Sequence, residues 1–224
     1  MTEQVDWTRA VIKVGDGRGF VVATDHERIV ITAAHCLPYF PPCMSFSGVE
    51  ERTYARLLGP IGGERTVWAE CVFVDPIADV AALRSPDNQE FDKEAEAYDA
   101  LVEPAIPLPI GELPLARLPI ALSTGDTILG GPSAECQAWL LALDLRWFRC
   151  TIKGFSTALW IEGAAEDIAG GMSGSPIVSD DGAAIGLVCM SAGGPGGGHR
   201  QGGPNPFLSR QLPRWLGDEI TTRL

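Results

Sequence analysis

Short runs of β-branched and apolar residues recur along this chain and constrain its fold more than any other feature. Most are four to nine residues long, which is the length of strands rather than helices. The clearest are Val11–Val14, Phe20–Ala23, Ile29–Thr32, Thr66–Val74, Val80–Leu83, Cys150–Ile152, Ile177–Ser179 and Ala184–Met190. Glycine, proline or acidic residues separate these runs, a pattern typical of an all-β sandwich or barrel. The sequence therefore predicts an all-β fold.

The strand pattern is interrupted in the middle of the chain. The stretch "DNQEFDKEAEAYD" (87–99) carries six acidic residues and one lysine, and it is either a short exposed helix or a loop. Five prolines between positions 104 and 119 then favour an extended connector. We predict an N-terminal β-barrel at 1–86, a connector at 87–117 and a C-terminal barrel with a terminal helix at 118–224.

The terminal helix is predicted from the tail "SRQLPRWLGDEI" (Ser209–Ile220). Its spacing places Leu212, Trp215 and Leu216 on one inward face, and Pro213 fits only in the first turn of such a helix. The glycine-rich stretch at 193–204, just before it, is predicted to be a loop.

Composition and charge exclude several classes of protein. Hydrophobic residues make up 46% of the 224 residues, enough for a packed core. A net charge of −12 argues against a nucleic-acid or anionic-membrane binder, because both need a basic face. The chain opens without a signal-peptide pattern and has no run of roughly 18 apolar residues. These features predict a cytoplasmic protein.

Six cysteines are spread along the chain without CxxC spacing. They are Cys36, Cys43, Cys71, Cys136, Cys150 and Cys189. Without a secretion signal, buried free thiols are a better interpretation than disulfides. No His/Cys cluster has the spacing of zinc ligands, and we expect neither a metal nor a cofactor.

Three residues of catalytic type lie at the ends of predicted strands. His35 follows a β-branched run in "TAAHC", Asp79 precedes another in "DVAAL", and Ser173 lies in the glycine-rich "GMSGSP". A hydroxyl nucleophile needs a nearby imidazole base, and the base needs a carboxylate to fix its tautomer. The three residues therefore form a candidate catalytic set.

Alternative assignments of these roles are weaker. Asp75 is a rival carboxylate, but it precedes a proline and resembles a turn former. Ser173, Asp181 and His199 follow the chain order of α/β-hydrolases, which require G-x-S-x-G at a strand-to-helix elbow. That pattern is absent here, since position 175 is serine and a strand follows. His26 is expected to be solvated in a polar hairpin turn. His199, in the glycine-rich loop, is either a solvated loop residue or a substrate contact, and the first is favoured.

The motifs "TAAHC", "DVAAL" and "GMSGSP", in the order His, Asp, Ser, resemble the chymotrypsin/trypsin-like serine proteases. The family's usual nucleophile motif is GDSGGP or GNSGGP. The later segments "GDTILGG" and "NPFLSRQLPRWL" also look like family segments, so the resemblance covers nearly the whole chain. It implies two six-stranded antiparallel β-barrels with a C-terminal α-helix and an active site between the barrels.

The resemblance also implies roles for individual residues. His35 would be the general base, Asp79 its orienting carboxylate and Ser173 the nucleophile. The backbone N–H groups of Gly171 and Ser173 would form the oxyanion hole. In "CMSAGG" (Cys189–Gly194), Ser191 would support Asp79, and Ala192 and Gly193 would flank the bound peptide.

Two departures from the secreted relatives resemble intracellular prokaryotic members. Met172 takes the place of the aspartate that pairs with a newly cut N-terminus, which implies that this activation switch is missing. Cys36 follows the histidine, as in the secreted enzymes, but the strand "GRGFVVATD" (Gly17–Asp25) holds no cysteine to pair with it. Cys36 is therefore predicted to be a buried thiol.

The sequence as a whole predicts a serine endopeptidase acting on protein or peptide substrates. Asp167 lies six residues before Ser173, where an acidic residue in trypsin-like enzymes selects Arg or Lys in the substrate. Asp167 could also be an exposed loop residue. The alternative function is a protease-fold binding module that is catalytically silent or gated by a partner, including a regulatory partner or a fused domain.

Overall fold

The computed structural model describes residues 6–42, 48–113, 116–121, 127–155, 158–189, 202–213 and 215–216. Its strands are β1 (Val11–Val14), β2 (Gly17–Ala23), β3 (Arg28–Thr32), β4 (Thr53–Pro60), β5 (Val67–Asp75), β6 (Val80–Arg84), β7 (Ala116–Ala121), β8 (Thr127–Leu141), β9 (Trp147–Phe155), β10 (Ala158–Glu162), β11 (Pro176–Ser179), β12 (Ala184–Leu187) and β13 (Gly202–Pro206). Its helices are α1 (Val49–Arg52), α2 (Asp92–Val102) and α3 (Leu208–Gln211), with 3₁₀ turns at Trp7–Ala10 and Ala34–Cys36. Within these ranges, every helix is too short or too polar to cross a membrane.

The first six strands close into an antiparallel barrel in the order β1-β2-β3-β6-β5-β4. β1 completes the barrel by pairing with β4, where Ile12 lies opposite Pro60 and Val14 opposite Leu58. Closure leaves no free sheet edge. Fully buried side chains of this part of the core include Phe20, Ile29, Ile31, Tyr54, Leu58 and Leu83.

The remaining strands form a second antiparallel sheet in the order β12-β11-β8-β9-β10-β13, and β7 pairs with β8 beside this path. An antiparallel bridge between Gly186 of β12 and Phe207, just after β13, joins the two ends of the path. The sheet therefore curls back on itself around a second apolar cluster, which includes Leu140, Ile152, Leu159 and Ile177. The prediction of two antiparallel β-barrels is confirmed.

The segment between the barrels combines a helix with an extended stretch. Most of the acidic run lies in α2, so of the two forms that the sequence left open the helix is the one observed. The Tyr98 hydroxyl on this helix lies within hydrogen-bond distance of two carbonyls of the first barrel, those of Arg28 at 3.0 Å and Leu83 at 3.2 Å. Beyond the helix, the N–H of Leu108 donates to Val21 at 3.0 Å, and the carbonyl of Pro109 accepts from Ala184 at 2.8 Å. The connector is thus hydrogen-bonded to both barrels.

The predicted C-terminal helix is interrupted at Pro213. α3 ends at Gln211, and residues 215–216 are helical again; Pro213 lacks the N–H that would continue α3. Leu212 and Leu216 are buried as predicted, but Trp215 is 52% exposed, so its predicted inward position is wrong. The inward face therefore keeps two of its three predicted residues.

Candidate active site

His35 and Asp79 meet at neighbouring strand ends of the first barrel. β3 and β6 pair with Thr32 opposite Ala81, so the turn after β3 lies beside the start of β6. His35 Nδ1 is 2.7 Å from Asp79 Oδ2, and the backbone N–H of His35 donates to Asp79 Oδ1 at 2.9 Å. A carboxylate only accepts hydrogen bonds, so it favours the tautomer with the proton on Nδ1. Nε2 is then free to act as a base.

A tight turn aims Asp79 at the histidine. Asp79 has a left-handed backbone, with φ of 59°, a conformation that aspartate tolerates better than most residues. Asp75 caps this turn, because its Oδ1 accepts the N–H groups of Ile77 at 2.9 Å and Ala78 at 3.0 Å. The carboxylate of the rival Asp75 is thus engaged by turn amides, whereas that of Asp79 contacts the imidazole.

Ser173 lies in the loop between β10 and β11, and both barrels hold this loop. The Ser173 carbonyl accepts the backbone N–H of Arg18 at 2.7 Å, and the N–H of Gly174 donates to Val188 at 2.7 Å. Gly174 has φ of +79°, and a Cβ at this position would lie 1.9 Å from the Arg18 carbonyl oxygen. Only glycine fits there, so the sharp backbone path around Ser173 depends on it.

His35, Gly171 and Ser173 line one cavity of about 450 Å³ between the barrels. The described residues include no hydrogen bond from Ser173 Oγ to the His35 ring, whose side chain is 47% exposed. Such bonds are often long until substrate binds. The cavity therefore brings the hydroxyl and the base to one place without joining them directly.

Two amides beside Ser173 are available as donors. Within the described part of the chain, the N–H groups of Gly171 and Ser173 donate to no backbone carbonyl, whereas that of Met172 donates to Ala169 at 3.2 Å. Gly171 has φ of +90°, a conformation that glycine adopts without a Cβ penalty. Unpaired amides at a reacting serine are the donors that an oxyanion requires.

Arg18 links the two barrels behind the Ser173 loop, and sequence reasoning missed it. Its guanidinium donates to the carbonyls of Leu141 at 2.8 Å and Ala142 at 3.0 Å, and to Ser175 Oγ at 3.4 Å. The residue is 6% exposed, and burial lowers the pKa of its guanidinium below the usual value. The signal was visible as an arginine in the otherwise apolar strand "GRGFVVA".

The family model of the trypsin-like peptidase domain matches residues 17–187. This chain belongs to that family. Its fold is similar to that of the Rv3671c protease of M. tuberculosis H37Rv in an inactive form, at 15% identity and a TM-score of 0.48, covering 96% of this chain and 86% of that chain. The MamO protease domain of Magnetospirillum magneticum in its apo form has 15% identity and a TM-score of 0.47, covering 98% of each chain. No curated protein matches the sequence.

In this trypsin-like peptidase domain, replacing Arg18 with methionine is expected to lower stability markedly. The change leaves two buried carbonyls without their donor, at a cost of about 3 kcal/mol. The melting temperature should fall by about 6–12 °C for a chain of this size, as measured by circular dichroism. Arg149→Met removes an exposed arginine that stacks on Trp139, and it should cost less than about 1 kcal/mol. Equal shifts for the two variants would contradict the role of Arg18.

Cys36 is a buried free thiol, as predicted. Gly17 of β2 faces it, and a Cβ at Gly17 would lie 2.7 Å from Cys36 Sγ. Glycine therefore stands where the partner of a disulfide would be needed. The thiol lies 3.8 Å from the Ser173 carbonyl oxygen, and burial raises the pKa of Cys36 to about 11. The group stays protonated at neutral pH and packs against the Ser173 loop.

Cys189 is a second residue of the site that sequence reasoning missed. Its Sγ–H donates to the Asp79 carbonyl at 3.3 Å, and its N–H donates to Asn205 Oδ1 at 2.8 Å. Burial, followed by the nearby Asp79 carboxylate, raises the pKa of the Cys189 thiol. The second barrel thus contacts the backbone of Asp79 through Cys189, two residues before the predicted Ser191.

We expect the free energy of unfolding to fall as the pH rises above about 9. Burial raises the pKa of Cys71 to about 11 and that of Cys150 to about 12, and it raises those of Cys36 and Cys189 as well. The unfolded thiols ionise near their ordinary pKa of about 8.5, so above it the unfolded state binds fewer protons than the folded state. Each such thiol then costs about 1.4 kcal/mol per pH unit.

Urea unfolding between pH 8 and 11 measures this loss. Below pH 10, replacing both Cys71 and Cys150 with alanine should reduce the slope of stability against pH by about 40–50%, since Cys36, Cys189 and the half-buried Cys136 remain. Above pH 10 the buried Tyr54 and Tyr98, whose pKa values are also raised, add to the slope. An unchanged slope would contradict the assignment to buried thiols.

Met172 is 1% exposed and lies in the core of the second barrel. The N–H of Ala169 contacts its Sδ at 3.3 Å. An apolar contact therefore fills the position where the resemblance places an activating aspartate in secreted enzymes. The loop before Ser173 is packed by burial of this side chain rather than by an ion pair at residue 172.

Of the four predicted specificity residues, the structure describes only Asp167. Ser191, Ala192 and Gly193 lie outside the described residues, as does Cys43. Asp167 is exposed. Of the two environments that the sequence left open for it, a substrate pocket or an exposed loop, the structure shows the exposed one. It does not line the cavity shared by His35 and Ser173. Selection of basic residues by Asp167 stays a prediction.

Proposed function

We propose that this trypsin-like peptidase domain is a serine endopeptidase, with Ser173 as nucleophile, His35 as general base and Asp79 as the orienting carboxylate. The observation that carries the proposal is the double contact of Asp79 with His35. One carboxylate oxygen meets the ring at 2.7 Å and the other accepts the backbone N–H at 2.9 Å. His35 in turn shares a cavity with Ser173. A carboxylate–imidazole pair beside a serine hydroxyl is the arrangement that activates an alcohol for acyl transfer.

In the acylation half of the reaction, Ser173 Oγ attacks the carbonyl carbon of the scissile peptide bond. The hydroxyl proton passes to His35 Nε2, and Asp79 stabilises the imidazolium through Nδ1–H. The negative charge on the carbonyl oxygen is met by the N–H groups of Gly171 and Ser173. The intermediate collapses as the C–N bond breaks, and His35 gives its proton to the leaving amine.

Deacylation repeats these steps with water. His35 takes a proton from a water molecule that attacks the ester carbon of the acyl-enzyme. When the C–Oγ bond breaks, the proton returns from His35 to Ser173 Oγ, and a carboxylic acid product is released. The scheme balances with water as the only co-reactant, and it uses protein or peptide chains as substrates.

Cleavage of a mixed peptide library tests the proposal. Mass spectrometry should detect new amino termini that grow with time, and prior treatment of the protein with a fluorophosphonate should abolish them. Folded protein that produces no new termini, alone or with cell extract added, would contradict the proposed activity.

A second candidate is a protease that a partner must activate. The observation favouring it is that the described residues include no hydrogen bond between Ser173 Oγ and His35. A gated enzyme would cleave the peptide library only after addition of cell extract. An enzyme that is active on its own would cleave it at once, and the same experiment separates the two.

A further inference from the structure

The cavity beside His35 continues along the first barrel and carries two arginines. Besides His35, Gly171 and Ser173, it is lined by Gly15–Gly17, Cys36–Pro38, Ala55–Leu57 and Arg65. Arg56 and Arg65 are thus close enough to the reacting groups to contact one bound peptide. They stand out because the whole chain has a net charge of −12.

A bulge in β4 presents Arg56 to this cavity. Between the pairs Tyr54↔Ala69 and Leu58↔Val67, three residues of β4 lie opposite the single Trp68. Arg56 is at the centre of the bulge with φ of 53°, a left-handed conformation that arginine rarely adopts. The bulge is held because the carbonyl of Leu57 accepts the N–H of Gly15 at 3.0 Å. Bulges of this kind redirect side chains beside binding sites.

The charges around the cavity do not cancel. Arg65 contacts Asp16 at 3.3 Å, and the Asp16 side chain is fully exposed. The Arg56 side chain makes no ion pair or hydrogen bond within the described part of the chain, and the residue is exposed. Among the residues that line the cavity, two guanidinium groups therefore outnumber the single carboxylate of Asp16, while the Asp79 carboxylate contacts His35. Guanidinium groups match the geometry of carboxylates.

Two glycines let the backbone pack closely in the wall of this cavity. A Cβ on Gly17 would lie 2.5 Å from the Ser173 carbonyl oxygen, and one on Gly15 would lie 2.1 Å from the Cys36 carbonyl oxygen. A side chain at either position would therefore collide with the backbone beside His35 or Ser173. Glycine at both positions allows residues 15–17 to line the same cavity as the two candidate catalytic residues.

The leaving half of a substrate is the part that reaches this cavity. His35 must hand its proton to the departing amine, so that amine emerges next to the His35 ring. The wall next to that ring consists of His35, Cys36 and Leu37, and it belongs to the cavity. Residues that follow the scissile bond consequently extend toward Arg56 and Arg65.

We propose that this cavity is a specificity site in which Arg56, assisted by Arg65, selects substrates with Asp or Glu within the first three residues after the scissile bond. The proposal rests on the proposed peptidase activity and adds a substrate class to it. Arg56 supplies the unpaired positive charge, and Arg65 shares its charge with Asp16.

A peptide-library cleavage profile tests the selection. With wild-type protein, Asp and Glu should be enriched about threefold to fivefold on the leaving side, the range that an exposed ion pair supports. Arg56→Gln should abolish most of this enrichment, and Arg56→Glu should replace it with enrichment of Lys and Arg. Lys93→Gln removes an exposed positive charge on α2 and should leave the profile unchanged. High salt should weaken the wild-type preference by screening.

A chromogenic substrate with a p-nitroanilide leaving group provides the internal control. It has no residues after the scissile bond, so the rate of library cleavage relative to p-nitroanilide hydrolysis isolates the contribution of this cavity in wild type and in both Arg56 variants. Normal hydrolysis without acidic enrichment, or with enrichment that survives in Arg56→Glu, would overturn the cavity's role alone. Wild-type protein that neither cleaves the library nor reacts with a fluorophosphonate would overturn the peptidase proposal, and the selection with it.

Discussion

Replacing Ser173 with alanine is expected to lower kcat for peptide hydrolysis by about 10⁵- to 10⁶-fold. The variant has no oxygen to form the acyl-enzyme, while the carboxylate–imidazole pair and the amides of Gly171 and Ser173 are retained. The residual rate should come only from substrate binding and the oxyanion donors. Steady-state hydrolysis of a fluorogenic peptide measures the loss.

Two controls make this result specific to the nucleophile. Ser209→Ala changes a partly exposed serine of α3 and should keep activity within about twofold of wild type, as expected for a surface position. The melting temperature of Ser173→Ala should also remain near that of wild type. A folded Ser173→Ala variant with more than a few per cent of wild-type activity would contradict the assignment.

Replacing Asp79 with asparagine is expected to lower kcat by about 10⁴-fold. An asparagine side chain can donate to Nδ1, which favours the tautomer with the proton on Nε2, and His35 could then no longer accept the proton of Ser173. The amide also carries no charge to stabilise the imidazolium. The same fluorogenic assay, followed across pH 6–9, measures the loss.

Asp75→Asn is the matched control for this prediction. Asp75 is the rival carboxylate, and its Oδ1 caps the turn before Asp79 through the amides of Ile77 and Ala78. An asparagine oxygen can accept the same two hydrogen bonds, so kcat should fall less than about tenfold. A larger loss in Asp75→Asn than in Asp79→Asn would reverse the assignment of the carboxylate.

The strands and the candidate catalytic residues could be predicted because both leave local signals. Strand-length apolar runs bounded by turn residues mark β3, β6 and β11 directly. His35 and Asp79 come together because those strands pair, and each lies at a strand end where the sequence pattern changes. The turn-forming role of Asp75 was also visible locally, since it precedes a proline.

The contacts that hold the site together left no comparable signal, although an arginine stands out in the apolar strand β2. Arg18 and Leu141 are 123 positions apart, and Cys189 and Asp79 are 110 apart. Each contact depends on how the two barrels pack, which periodicity does not report. The bulge that carries Arg56 is hidden for the same reason, because it arises from a register shift between β4 and β5. Trp215 was placed wrongly since the helical pattern was continued across Pro213.

Reaction of the purified protein with a fluorophosphonate, followed by intact-mass and peptide mass spectrometry, shows whether Ser173 is an activated nucleophile. An activated serine displaces fluoride and retains the phosphonyl group, so we expect one adduct per chain, located on Ser173. Asp79→Asn should react far more slowly, and Ser173→Ala should acquire no adduct. An adduct on another serine, or an equal reaction rate in Asp79→Asn, would contradict a Ser173 nucleophile activated by His35 and Asp79.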